Sequence, residues 1–210
     1  MNQDVVRDIL EKRRYFERVD SIHEHITKYI GQVSDTLFEE IDGVFITYFI
    51  VSPNSEHPYY TIVTCSTSIT DVTNDNDLEF CLSVPMEWSF LDNPAALIQS
   101  KDPQKLFVVR LLREVIKFNL NIKPLGVGHT ITGSQDSPFP EFVSVMVHLP
   151  ELFNEEFCFT ESNTPSLILG IYPLFEEEYQ FKIKNGSDEL MDLLYNGAMV
   201  FDPRRKNVCI

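Results

Sequence analysis

Positive charge is missing from two long stretches of this chain. No Lys or Arg occurs between Lys28 and Lys101, where eleven Asp or Glu fall, and none between Lys123 and Lys182, where nine do. A surface so poor in cations repels nucleic acid and anionic membrane and attracts basic partners. The imbalance of 17 basic against 32 acidic residues arises wholly beyond residue 30, because the first 30 residues carry six of each sign. Long apolar runs are missing as well: none approaches the roughly 20 residues of a membrane span. The start, Met-Asn-Gln-Asp, is polar and enters a helical pattern at once, so the expectation is a cytoplasmic protein without a secretory signal. Cysteines are few and scattered, at positions 65, 81, 158 and 209, with no Cys-x-x-Cys. That argues for free buried thiols and against a disulfide frame or a zinc site, so no cofactor or metal is expected. Cys209 is penultimate, which does not match a prenylation box.

Catalytic signatures are equally sparse. There is no Gly-x-Ser-x-Gly elbow, and Gly126-x-Gly128-His129 lacks the third glycine and the Lys-Ser/Thr of a phosphate loop. His23 and His25 are two apart in a helical stretch and point to different sides. His148 lies in a buried strand pattern as a core histidine. His129, beside the Gly-rich turn, is the one histidine placed for a possible ligand site, with Asp136 or Glu141 as companions. Glu176, Glu177 and Glu178 are consecutive, so they face about 100° apart and cannot converge. They read as a solvated helix start.

What is present is a well-patterned globular chain. Forty-three per cent hydrophobic residues and 16 Phe in 210 residues suffice for a sizeable core, and no linker divides the sequence. One domain over 1–210 is expected, with residues 1–30 as an amphipathic helix packed on it. The helix stripe is Val5, Ile9, Phe16, Val19, Ile22, Ile26 and Ile30, with Lys12, Arg13, Arg14 and Arg18 on the solvent side and Gly31 as the stop. Val44–Val51 and Tyr59–Cys65 form a hairpin across a Ser-Pro-Asn turn, and Leu78–Val84 is a third strand ending at Pro85. Trp88 folds back onto the core. Asp102-Pro103 starts a mostly buried helix. Phe142–Leu149 is another buried strand.

Leu167–Leu194 is the most constraining stretch. It predicts an apolar strand stopped by Pro173, then a helix with Phe175, Tyr179 and Ile183 on one face. Asn185-Gly186 closes that helix, and Ser187 caps a second one. A buried strand feeding two helices implies a sheet covered by helices. The tail from Val200 predicts a basic turn and a short terminal strand.

Several of these pieces, in order, resemble the Suppressor of fused family. They are Pro58-Tyr59-Tyr60-Thr61-Ile62-Val63-Thr64 leading to Ser68, Leu82-x-x-Pro85-x-x-Trp88, Gly128-His129-Thr130-Ile131, the run through Tyr172-Pro173-Leu174 and Glu178 to Gly186-Ser187-Asp188-Glu189-Leu190, and Asp202-Pro203-Arg204-x-x-Asn207-Val208. The resemblance implies an α+β fold with a mixed or largely antiparallel central sheet covered by helices, like the family's amino-terminal domain. It further implies a compact bacterial-type member, a non-enzymatic immunity protein that binds and neutralises a toxin. The family's Gly-Met-Ser turn is Ser66-Thr67-Ser68 here, so no partner-binding residue is carried over.

The expected partner is a basic protein, with neither nucleic acid nor membrane bound and the chain a monomer or weak dimer. Its expected contacts are Asp71, Asp75 and Asp77, with Glu155 and Glu156 second. The alternatives are a small-ligand binder or enzyme centred on His129, and a scaffold that binds a peptide along an exposed strand edge.

Overall fold

The computed structural model describes residues 3–41, 43–66, 77–93, 102–132, 139–161 and 165–210. Seven strands make one mixed sheet in the order β1-β2-β3-β4-β7-β6-β5. β1 (Val33–Ile41), β2 (Val44–Val51), β3 (Tyr59–Ser66) and β4 (Asp77–Pro85) run antiparallel in sequence. β7 (Ser166–Phe175) joins β4 in parallel, and β6 (Phe142–His148) and β5 (Thr130–Thr132) continue antiparallel from it.

Central strands are apolar on both faces because both faces are covered. On one face lies α2 (Pro103–Asn121), whose Val108, Leu112 and Val115 meet Ile46, Tyr48, Ile62, Phe80, Leu82 and Leu169. Trp88 packs against the same core, edge-on to Phe201 at 6.1 Å. The opposite face carries two covers. α1 (Gln3–Tyr29) and a 3-10 turn at Glu155–Cys158 bury Ile22, Ile26, Phe49, Val63, Cys81 and Phe157. α3 (Glu176–Asn185) leads into α4 (Ser187–Tyr195), which sets Leu190, Met191 and Leu194 against Met146, Tyr172 and Leu174. Each such fully buried aliphatic side chain contributes about 1.5–3 kcal/mol.

Two fully buried carboxylates fasten the ends of the chain to this frame. Glu178, at the start of α3, accepts two N–H groups of Arg205 at 2.6 Å each, and also Val208 N and Phe175 N. The guanidinium lies over the Phe175 and Phe142 rings, 4.7 and 5.2 Å from their centroids. Glu79, in β4, accepts Arg18 of α1 at 2.6 Å, the Thr64 hydroxyl at 2.6 Å and Ser66 N at 2.9 Å.

Several expectations change in physical detail. Glu178 is not part of a solvated helix start, because Arg205 and two backbone N–H groups, of Val208 and Phe175, satisfy its charge inside the fold. Arg18 turns inward to Glu79 and is not solvent-side. Tyr15 takes the core position, bonding Thr47 at 2.5 Å, while Phe16 is 61% exposed. β7 continues through Pro173. Its carbonyl accepts from Arg205, and a strand residue's N and O point to the same side, so the missing N–H faces the tail and costs β6 no ladder bond.

Gly186, at φ +114°, separates the two helices as both C-cap and N-cap, so Ser187 is the first helical residue and caps nothing. Ile183 is 60% exposed and does not build an apolar face. The tail ends in turns, not a strand, because Val208 N bonds Glu178 in place of a strand partner. β1 escaped the sequence reading altogether: as an edge strand it buries Leu37 while Asp35, Thr36, Phe38 and Glu40 are exposed. None of the four cysteines forms a disulfide, and Cys65, Cys81 and Cys158 are buried.

Candidate protein-interaction surface

The acidic turn is held from beneath. Asn154 accepts Phe157 N at 3.0 Å through its side chain and caps the 3-10 turn. Phe157 and Cys158 point inward, so Glu155 and Glu156 stay in solvent. His25 of α1 meets Phe157 O through Nε2 at 2.9 Å and stacks on the Phe157 ring at 5.6 Å. Burial holds the His25 pKa below its ordinary 6.5, against the opposing pull of the Phe157 carbonyl. Burial likewise pushes the Cys158 thiol up, with Glu155 adding to the effect. Both groups favour the neutral form under the turn, while its carboxylates stay outside.

After the turn the chain returns to the sheet beside the first residue of β4. Thr160 N donates to Ser166 O at 3.0 Å, Ser166 N donates to the Thr160 hydroxyl at 2.8 Å, and Ser166 is the register partner of Asp77. Asp77 therefore opens β4 next to the segment that follows Glu155 and Glu156. Asp71 and Asp75 lie outside the described residues, as does Asp136. Glu161 is exposed and meets Lys28 at 3.4 Å, a solvent-screened pair worth little.

His129 is exposed, in a turn whose N donates to Gly126 O at 3.0 Å and whose carbonyl accepts Val147 N at 2.9 Å. Glu141 is also exposed. Two shallow depressions border the described residues, one along Leu152, Phe153, Gly170 and Tyr172 and one along Glu151, Tyr195 and Met199, and His129 lines neither. The turn's glycine has a packing reason: Gly128 sits at φ +76°, and a Cβ there would come 2.6 Å from the Ser187 hydroxyl. His148 is buried, with Nε2 3.2 Å from Asp188. Among the described residues no group of three His, Cys, Asp or Glu is arranged to hold a metal.

A surface that the sequence reading missed lies at the β1 edge. Phe38 is 55% exposed and stacks on Phe45 at 5.9 Å, with Tyr15 and exposed Phe16 beside them. The signal available in sequence was the apolar pair Leu37-Phe38 between polar residues, too brief to separate from a loop.

The described residues thus present an α+β sheet domain with exposed acidic turns and an open strand edge. The chain belongs to the Suppressor of fused protein (SUFU) family, which it matches over residues 39–206. Its fold is similar to that of a SUFU homologue from Neisseria gonorrhoeae, with a TM-score of 0.59 at 14% identity, covering 92% of this chain and 97% of that one. The structure of a Sufu–Fu complex gives 0.64 at 12% identity, covering 91% and 92%. Drosophila Suppressor of Fused gives 0.56 at 13% identity, covering 78% of this chain and 42% of that one. At these identities the likeness is one of fold. No protein of curated function matches the chain by sequence.

Proposed function

We propose that this chain is a non-enzymatic protein-binding domain that captures a basic partner, most concretely a toxin domain neutralised in the cytoplasm by an immunity-type protein. The observation that carries this reading is the Glu155–Glu156 turn, held outward over a buried Phe157 in a stretch with no Lys or Arg from 124 to 181. Asp71, Asp75 and Asp77 are the further contacts this reading expects, from the other long stretch without Lys or Arg. A toxin that acts on nucleic acid needs a basic surface for its substrate, and an acidic inhibitor meets that surface quickly through long-range attraction. Membership of a family that includes a protein solved as a Sufu–Fu complex supports the protein-binding half of the reading.

The test is co-expression with the product of the neighbouring gene, followed by calorimetry at low and high salt. Glu155→Lys with Glu156→Lys should slow association by about tenfold and flatten the salt dependence. A complex indifferent to salt, or cells left unprotected against the candidate toxin, removes the idea.

A further inference from the structure

The two edges of the sheet are built differently. β5 offers three residues, whereas β1 offers nine, Val-Ser-Asp-Thr-Leu-Phe-Glu-Glu-Ile, paired among the described residues on its β2 side alone. Exposed edges are usually blunted by charged side chains, Lys above all, by Pro, by bulges or by shortness, because their free N–H and C=O groups template pairing with another chain. β1 contains neither Lys nor Pro, its one register irregularity lies at its very start, between Val33 and Asp35, and although Asp35 accepts the Thr36 N–H at 2.7 Å, its charges are all acidic, which disfavours another acidic chain and suits a basic one. Phe38, which stacks on Phe45 on the α1 side of the sheet, stands with Phe16 as an exposed aromatic ledge along this edge. Asp35 and Glu40 are exposed along the same strand, and Thr36, Phe38 and Glu40 alternate onto the ledge face.

We propose that the β1 edge is a strand-addition site that takes an extended segment of the basic protein partner, with an apolar side chain seated against Phe38 and Lys or Arg beside Glu40. This rests on the reading of the chain as a binder of basic protein and adds a second, main-chain mode of contact to the acidic turns. A second copy of this chain is the poorer occupant. An antiparallel β1–β1 pair would set Asp35, Glu39 and Glu40 against one another across two chains that each carry a net charge of −15. Glu39 itself is engaged with Arg113 of α2 at 2.5 Å and with the Tyr48 hydroxyl on the other face, so Glu40 is the free carboxylate of the pair.

The probe is a ten-residue peptide alternating Lys with Val and Phe, compared with the same peptide carrying Glu for Lys and with one interrupted by Pro. Binding is read by fluorescence anisotropy and localised by amide hydrogen exchange on the full chain. The basic peptide should bind, should slow exchange of amides within 33–41, and should lose affinity by up to about fivefold in Phe38→Ser, a substitution at an exposed position. Glu40→Lys should weaken it further, and the acidic and Pro-interrupted peptides should bind at least about tenfold less tightly.

Protection that falls elsewhere, at 155–161 for example, overturns the strand site while leaving the basic-partner reading standing. Absence of any charge preference among the peptides removes both. Concentration-dependent dimerisation that protects 33–41 without peptide overturns the assignment in favour of self-pairing.

Discussion

Glu178 and Glu79 are both fully buried, and each draws an arginine from one end of the chain onto the sheet, but they do so in different settings. Glu178 stands at the N-terminus of α3, where the helix dipole and Phe175 N already favour its charge, and it receives Arg205 in a two-pronged contact roofed by two phenyl rings. Glu79 stands in a strand, where Thr64 and Ser66 N at the mouth of the β3–β4 pair compensate it, and it receives Arg18 from the long first helix. Glu178 and Arg205 both fall within the family match of 39–206; Arg18 falls outside it. Both partners of the tail's fastening thus lie within the segment matched to the family, whereas the helix that Glu79 holds precedes it. Buried charge is a weak source of net stability but a strong constraint on arrangement once one partner is in place.

The largest test of that contrast is Arg205→Ala. Leaving Glu178 buried and uncompensated should cost about 3–5 kcal/mol, read as a drop in the urea midpoint, whereas Glu178→Leu with Arg205→Met should recover most of the loss. If the double variant is no better than the single, the carboxylate matters for more than its partner.

Arg18→Ala should cost about 3 kcal/mol, at the lower end of the same range, because Thr64 and Ser66 N remain on Glu79. Limited proteolysis should then cut within α1 first, while Arg205→Ala opens the segment beyond 200. Identical cleavage patterns would mean that the two ends come away together.

A smaller effect is expected at the joint that follows Glu178's helix. Gly186→Ala must hold φ +114°, and its Cβ would meet Glu189 Oε2 at 2.6 Å, so thermal denaturation should show a loss of about 1 kcal/mol.

The smallest is a pH slope under the first helix. Burial keeps the folded pKa of His25 below 6.5, so its contribution is complete above about pH 6.5, where the unfolded imidazole is also neutral. It is lost as pH falls through the folded value, because the unfolded chain then takes up the proton more readily. His25→Gln should flatten the acid limb of the stability curve between pH 6.5 and 5 by urea titration, and an unchanged limb would assign that slope to the carboxylates.

Much of the frame was legible in the residues. Apolar runs with β-branched and aromatic residues marked β2, β3, β4, β6 and β7, and Asp102-Pro103 marked the start of α2. β1 was not legible, because an edge strand that buries little keeps little periodicity, and Phe16, its exposed aromatic neighbour, read as part of the apolar helix stripe. Glu178 was read as solvated because three glutamates in a row look alike in sequence; which of them turns inward depends on an arginine 27 residues away. The exposed state of Glu155 and Glu156 followed from local pattern, but the hold on their turn depends on Asn154 and on His25, 132 residues from Phe157.

The sequence by itself determined the fold class, the family and the depletion of positive charge, since periodicity, ordered motifs and composition are local or additive properties of the chain. The tertiary structure alone decided which carboxylates are structural and which face solvent, and which strands stand at the sheet's edges. Burial and edge position are relations between distant segments, and they exist only once the sheet has closed around them.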